Sequence, residues 1–319
     1  GSAVAAVPAE HSHIAWISSG TWSVMGTEAS EPGISERTLK YNFTNEGGVG
    51  GKWRLSKNVM GLWIVQECRR TWARQGEELS YDQLTDLAER ARPLQAVIDP
   101  DHMDFLMPGN MPERIRAYCE RTAQPVLREK GAVVRCVLES IALKYRWVLE
   151  RLEEIVGYRL DPLHIIGGGT KNRLLNQLVA DATGRKVVTG PVEATAIGNC
   201  LMQAVAVGSL PSIQAGRDMV RRSFAMDVYL PRRSQDQEWE KCYRRLLDLL
   251  QEREAIHVGQ AQVDDHDVVK VPFQEREGLL AVVGHRHLQS GTLQHVVDQL
   301  ADRPVIVDDE QPGRLARTL

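Results

Sequence analysis

A short apolar run, Leu163–Ile166, leads directly into three consecutive glycines, Gly167-Gly168-Gly169. Lys171–Thr183 then reads as an amphipathic helix stopped by Gly184, Lys186–Thr189 as a second strand, and Glu193–Val207 as a second helix. Strand, glycine turn, helix, strand, helix restricts the chain to an α/β architecture of a nucleotide-binding kind. The turn does not follow the dinucleotide fingerprint GxGxxG, because Asn172 stands where the third glycine belongs, and it lacks the GK[ST] of a P-loop. A Rossmann dehydrogenase and a P-loop enzyme are both disfavoured.

A second small-residue turn lies near the start. Residues 14–29 read as two short strands around Ser19-Gly20-Thr21. Such a hairpin offers backbone N–H groups and a Thr hydroxyl to phosphate oxygens, and the Gly167–Gly169 turn lets a nucleoside lie against bare backbone. Residues 30–40 and Asn42–Gly51 carry loop chemistry. From Asn58 to Gln75 the apolar positions Met60, Trp63, Ile64, Cys68 and Trp72 predict a helix. Tyr81–Arg90 predicts another, capped by Ser80, and Ile98–Pro112 reads as extended. Pro112–Ala123 predicts a short helix. Gly131–Val156 predicts a long one ended by Gly157, and Glu238–Arg253 the last, with Trp239, Tyr243, Leu246, Leu247 and Leu250 inward.

The 319 residues are 43% hydrophobic and 25% charged, with a net charge of -3, which excludes the disordered, collagenous and disulfide-scaffold classes. That balance also argues against nucleic acid as the main partner. No apolar run reaches the roughly 20 residues of a membrane span, so no membrane partner is expected. Ala3–Pro8 is too short and lacks the basic flank of a secretory signal. Five cysteines form no CxxC spacing, and no metal-ligating set is expected; a reducing, cytoplasmic compartment follows.

Several separated segments carry a resemblance. Ile17–Ser23, Asn42–Gly48, Lys57–Trp63, His164–Gly169, Gln177–Asp181 and Gly190–Asn199 resemble the FGGY carbohydrate kinases, nearest to the branch that phosphorylates L-rhamnulose. The likeness covers roughly residues 1–250 and keeps the order of the motifs. It implies an α/β fold of the actin-like ATPase (ribonuclease H-like) type, a mixed sheet with flanking helices. It also implies that residues 1–255 are the C-terminal, nucleotide-binding half of a kinase of two such domains. The activity implied is transfer of the ATP γ-phosphate to L-rhamnulose, giving L-rhamnulose 1-phosphate in L-rhamnose catabolism, with ATP and Mg²⁺ as cofactors. An FGGY kinase for another ketose or polyol, and a non-catalytic nucleotide-binding module, are the alternatives.

Residue by residue, the resemblance assigns Thr21 to the ATP phosphates, Gln66 and Gly168 to the nucleotide site, and Asn58 to the sugar. The plainer readings are a turn residue for Thr21, a helix N-cap for Asn58, a solvated helix face for Gln66 and packing for Gly168. Glu46 is given no base role. The family's catalytic base is an Asp in an H-D-T-x-S-A-V-like segment, which in this register falls just before Gly1. No catalytic residue is therefore assigned within the chain, and the N-terminal kinase domain becomes an expected partner of a polypeptide inactive by itself. The opening Gly1-Ser2 reads either as an expression scar or as native sequence. Cys119 and Cys136 look like a cysteine pair found in related kinases.

Residues 256–319 extend past the resemblance and are expected to form a small appended α/β element of unassigned role. Strands are expected at Val268–Val271, Leu279–Val283 and Pro304–Val307 and a helix at Leu293–Leu300. His285, His287 and His295 complete no known metal spacing.

Overall fold

The computed structural model describes residues 1–264. The chain divides between Leu250 and Gln251 into two compact units. The expected boundary after residue 255 falls inside the last helix, α10 (Asp236–Asp264). The four elements expected between Val268 and Val307, and His285, His287 and His295, lie outside the described residues.

Seven strands form one mixed sheet: β1 (Ala15–Ser19), β2 (Trp22–Ala29), β3 (Thr44–Gly47), β4 (Trp53–Met60), β5 (Leu163–Ile166), β6 (Val187–Thr189) and β7 (Val228–Tyr229). Their order is β3-β4-β2-β1-β5-β6-β7. β1, β5 and β6 run parallel, and the remaining neighbours antiparallel. Period-two alternation sends Ile17, Met25, Leu55, Val59 and Ile165 to one face and Trp16 and Ile166 to the other.

The first face is covered by α3 (Trp63–Arg74), α4 (Tyr81–Arg90), α5 (Met111–Arg121), α6 (Lys130–Val156), α7 (Arg173–Thr183) and α10. α1 (Ser2–Ala5), α8 (Ala194–Ala206) and α9 (Ile213–Ser223) cover the second, and α2 (Glu36–Lys40) lies in the β2–β3 connection. The α/β class with a mixed sheet and flanking helices is the one expected. α6 ends where predicted, with Gly157 at φ +79° in the left-handed region. α4 has the Ser80 cap, in a capping box with Gln83.

Four readings need correction. Residues 58–60 are strand, not helix: Asn58 pairs with Val24 and Met60 with Trp22, and the helix begins at Trp63. The apparent helical spacing of Met60 with Trp63 and Ile64 is coincidental, because Met60 is buried through sheet pairing. Residues 44–47 form an edge strand whose partner β4, rather than local propensity, fixes it. Residues 36–40 form a short helix within the expected loop, because the Ser35 side chain accepts from Thr38 N. Leu249 also joins the buried residues of α10, whereas Leu247 is only partly buried. α1, α9 and β7 went unanticipated. The inward side of α9 is made of Gly216, Arg217 and Val220, so a buried arginine interrupts the apolar stripe.

All five cysteines are free thiols. Cys119 and Cys136 are buried in the main core. Among the described residues no helix is long and apolar enough to cross a membrane.

His164 on β5 is buried, and its Nδ1 has no hydrogen-bond partner among the described residues. Burial, reinforced by the positive charge of neighbours including His11 and Arg217, holds its pKa down to about 4. The unfolded chain therefore takes up this proton first as pH falls. The stabilisation from neutral His164 is complete above about pH 6.5 and is lost on descending toward pH 4, a change of about 3 kcal/mol. Denaturant melts from pH 7 to 4 on the wild type and His164→Gln check this: the variant is expected to show the shallower pH dependence, and equal slopes would contradict the assignment.

Candidate functional site

β1 and β5 are parallel neighbours with Ser18 opposite Ile166, so the turns at their carboxyl ends emerge side by side. Gly167 takes φ +88°, and its N–H donates to Pro191 O at 3.1 Å. A Cβ on Gly167 would stand 2.9 Å from Ser19 O, and one on Gly169 only 2.0 Å from Ser19 Oγ. A Cβ on Gly168 would meet nothing within 4 Å. The close packing belongs to Gly167 and Gly169, while Gly168 presents bare backbone to open space.

That space is a cleft of about 610 Å³. Its lining brings together Thr21, Gln66 and Gly168, which lie far apart in sequence, and adds Tyr81 and Asp82 from α4 and Lys171 from the glycine turn. Gln66 Nε2 donates to Thr21 Oγ1 at 3.1 Å, joining α3 to the first turn. Gln66 is thus a partner of Thr21 as well as a wall of the cleft. The amides of Leu62 and Trp63 donate to Gly20 O and Thr21 O at 2.9 and 3.0 Å. A Cβ on Gly61 would lie 2.6 Å from Gly20 O, so the end of β4 and the turn are in direct backbone contact.

The α4 wall is fixed from behind. A Cβ on Gly131 of α6 would fall 2.3 Å from Leu87 O, so α4 and α6 touch backbone to backbone. Arg135 donates to Ala88 O and Glu89 O at 3.1 and 3.2 Å, placing a cation at the carboxyl end of α4. At the other end Tyr81 is half exposed, with the Arg69 guanidinium 4.9 Å from its ring centre. The contribution of α4 was not anticipated: its apolar spacing announces a helix but not the cleft its first turn would border.

Asn58 does not line this cleft. It lies exposed on β4 among the residues of the second face, opposite Val24, and as a strand residue it caps no helix. Glu46 lies on the edge strand in an ion pair with Arg54. Among the described residues no cluster of three or more His, Cys, Asp or Glu side chains is placed to hold a metal ion. A larger hollow of about 790 Å³ between residues 92–97 and α10 contains none of the expected site residues.

The C-terminal domain model of the FGGY family of carbohydrate kinases matches residues 15–207. A rhamnulokinase of Bacteroides thetaiotaomicron is 46% identical over 244 residues, covering 76% of this chain and 49% of the relative. A rhamnulokinase of Oceanobacillus iheyensis is 40% identical over 229 residues, covering 72% and 48%. Among solved structures, xylulose kinase from Rhodospirillum rubrum superposes with a TM-score of 0.60 at 14% identity, over 80% of this chain and 50% of that one. Plasmodium falciparum glycerol kinase with ADP gives 0.54 at 16%, over 76% and 49%. These likenesses establish the actin-like ATPase fold expected from the sequence. The chain spans about half the length of the curated relatives it matches.

Proposed function

Because the chain belongs to the FGGY family of carbohydrate kinases, we propose that it is the nucleotide-binding part of an ATP-dependent kinase for L-rhamnulose, yielding L-rhamnulose 1-phosphate in L-rhamnose catabolism. The observation that carries this reading is the convergence of Thr21, Gln66 and Gly168 on one cleft. The preference for L-rhamnulose over other ketoses rests on the two rhamnulokinases, at 46% and 40% identity. In this reading residues 1–255 are the nucleotide-binding domain and residues 256–319 an appended element. ATP as phosphoryl donor and five free thiols favour a cytoplasmic setting.

The chemistry asked of this chain is positioning and charge stabilisation. The Gly20–Thr21 turn holds phosphate oxygens through backbone amides and the Thr21 hydroxyl, and Gln66 orients that hydroxyl. Gly168 leaves the nucleoside free access to backbone. Lys171 adds positive charge to the cleft. Nucleotide phosphates and water would supply most of the hold on a magnesium ion, which would offset phosphate charge without a dedicated protein cage. Asp82, the one carboxylate lining the cleft among the described residues, belongs to the α4 wall. Acceptance of the sugar hydroxyl proton is therefore left to the family's Asp, proposed to act from the N-terminal domain, with Asn58 on the sugar side.

Titration calorimetry with Mg-ADP tests the nucleotide assignment. Saturable binding is expected, weakened about tenfold or more in Thr21→Ala by loss of a hydrogen bond to a charged phosphate. Absence of heat from folded protein up to millimolar ADP would overturn the reading. Joined to the N-terminal domain, the chain is expected to release ADP faster with L-rhamnulose than with other ketoses.

A further inference from the structure

Beneath the first turn lies a group of charges, Lys144 and Asp99 buried and Asp101 partly exposed, that the proposed chemistry does not use. Lys144 on α6 is 1% exposed, and its Nζ lies 2.8 Å from Asp99 Oδ1 and 3.1 Å from Asp101 Oδ2. Asp99 is fully buried, and its Oδ1 also accepts the Asp101 amide at 3.2 Å. The other oxygen of Asp101, Oδ1, accepts the backbone N–H of Met60 at 2.7 Å. One lysine thus holds a carboxylate whose second oxygen grips the last residue of β4.

The grip transmits because nothing downstream has slack. Gly61 follows Met60 directly, and its Cβ position is closed by Gly20 O, Ser23 Oγ and Thr21 O at 2.6, 2.7 and 2.9 Å. The next two amides are those that bond Gly20 O and Thr21 O. One residue along α6, Tyr145 donates its hydroxyl to Ser23 Oγ at 2.6 Å, holding the far side of the same turn. Two successive helix residues therefore brace β4, through Asp101 and Met60, and β2, through Ser23, beside Gly20–Thr21. Burying Lys144 with the Asp99 carboxylate is a costly way to build a core, and an apolar replacement of equal volume is often as stable or more so.

We propose that Lys144 and Asp101 are positioning residues for the phosphate-contacting turn: through the Met60 amide they fix the height at which Gly20 and Thr21 are presented to the cleft. The proposal rests on the nucleotide reading for its consequence, but its geometry can be tested without ligand. Asp101→Ala removes the acceptor, whereas Asp101→Asn keeps a carbonyl oxygen for Met60 N.

The full chain is used for both measurements. In Mg-ADP calorimetry, Asp101→Ala is expected to weaken binding about tenfold or more, with Asp101→Asn recovering most of the loss. Leu246→Ala, a core truncation on α10, serves as a control that lowers the melting temperature with unchanged affinity. In hydrogen exchange on ligand-free protein, Asp101→Ala is expected to deprotect the Leu62 and Trp63 amides selectively, with Asp101→Asn close to wild type. Ordinary protection of those amides in a folded Asp101→Ala protein would overturn the proposal, as would affinity that tracks melting temperature alone. If the wild type binds no ADP, the nucleotide reading fails, and the exchange measurement decides the bracing by itself. Should Asp101→Ala not fold, Lys144→Met read by the same exchange experiment takes its place, with the same two outcomes.

Discussion

Gly169→Ala is expected to lower stability by about 3 kcal/mol, enough to shift thermal unfolding visibly, while Gly168→Ala leaves stability within about 0.5 kcal/mol. The two positions are adjacent in one turn, yet their surroundings are opposite. An alanine Cβ at 169 would stand 2.0 Å from Ser19 Oγ and 2.5 Å from Ser19 Cβ, with the Ser19 backbone carbon at 3.1 Å. Ser19 is buried on β1 and has no long side chain to swing aside, so strand or turn must move. At 168 the same methyl meets nothing within 4 Å, and the backbone there is outside the left-handed region. Function should divide the other way. Gly168→Val is expected to leave the fold intact and abolish ADP binding, because a branched side chain fills the approach to the backbone. Paired melts and ADP titrations check both halves. Partial recovery of Gly169→Ala by a second change, Ser19→Gly, would locate the strain in that contact. A Gly168→Val protein that binds ADP like wild type would remove Gly168 from the site.

Arg217→Ala is expected to destabilise by about 3–5 kcal/mol, the usual consequence of removing one partner from a buried ion pair. Arg217 on α9 and Glu28 on β2 are both buried, with Nη2 to Oε2 at 2.7 Å, and the same nitrogen donates to Val4 O at 3.2 Å. Loss of the guanidinium leaves the Glu28 carboxylate in the second core with its charge uncompensated. It also releases the carbonyl through which α1 is tied to α9. A double variant with apolar residues at both positions, Glu28→Leu with Arg217→Met, is expected to recover most of the loss. Denaturant melts at pH 7 measure the cycle; a single variant within 1 kcal/mol of wild type would show that water reaches the pair.

What could be read from the sequence follows from how local its determinants are. α6 announces itself through one apolar stripe and a terminal glycine, and the β5–α7–β6–α8 run through its own periodicity. Both turns were visible because glycine and small residues mark them directly. β3 and β4 were not, since their pairing is decided across the sheet: the sequence of β3, Thr44-Asn45-Glu46-Gly47, has little strand character without its partner. The same blindness put Asn58 at a helix start when it lies mid-strand. Thr21, Gln66 and Gly168 were named through family resemblance, and only the fold places them around one cleft. Asp101 and Lys144 left no trace, because an ion pair between an extended segment and a helix has no period and no motif.

The order of the strands also decides where this chain tolerates new material. Both turns that border the cleft rise from β1 and β5, neighbours at the sheet's centre, whereas β3 forms one margin, with β4 and β2 between it and β1. At that margin the hairpin joining β3 to β4 passes through Gly50 and Gly51, exposed and with positive φ. Lengthening such a connection adds only about 0.6 kcal/mol for each doubling. A peptide tag or reporter spliced between Gly50 and Gly51 would be carried at the rim, leaving the register of β1 against β5 untouched. The protein thus has a natural port for modular insertion at its margin, while its centre admits no change of even one methyl group at Gly169.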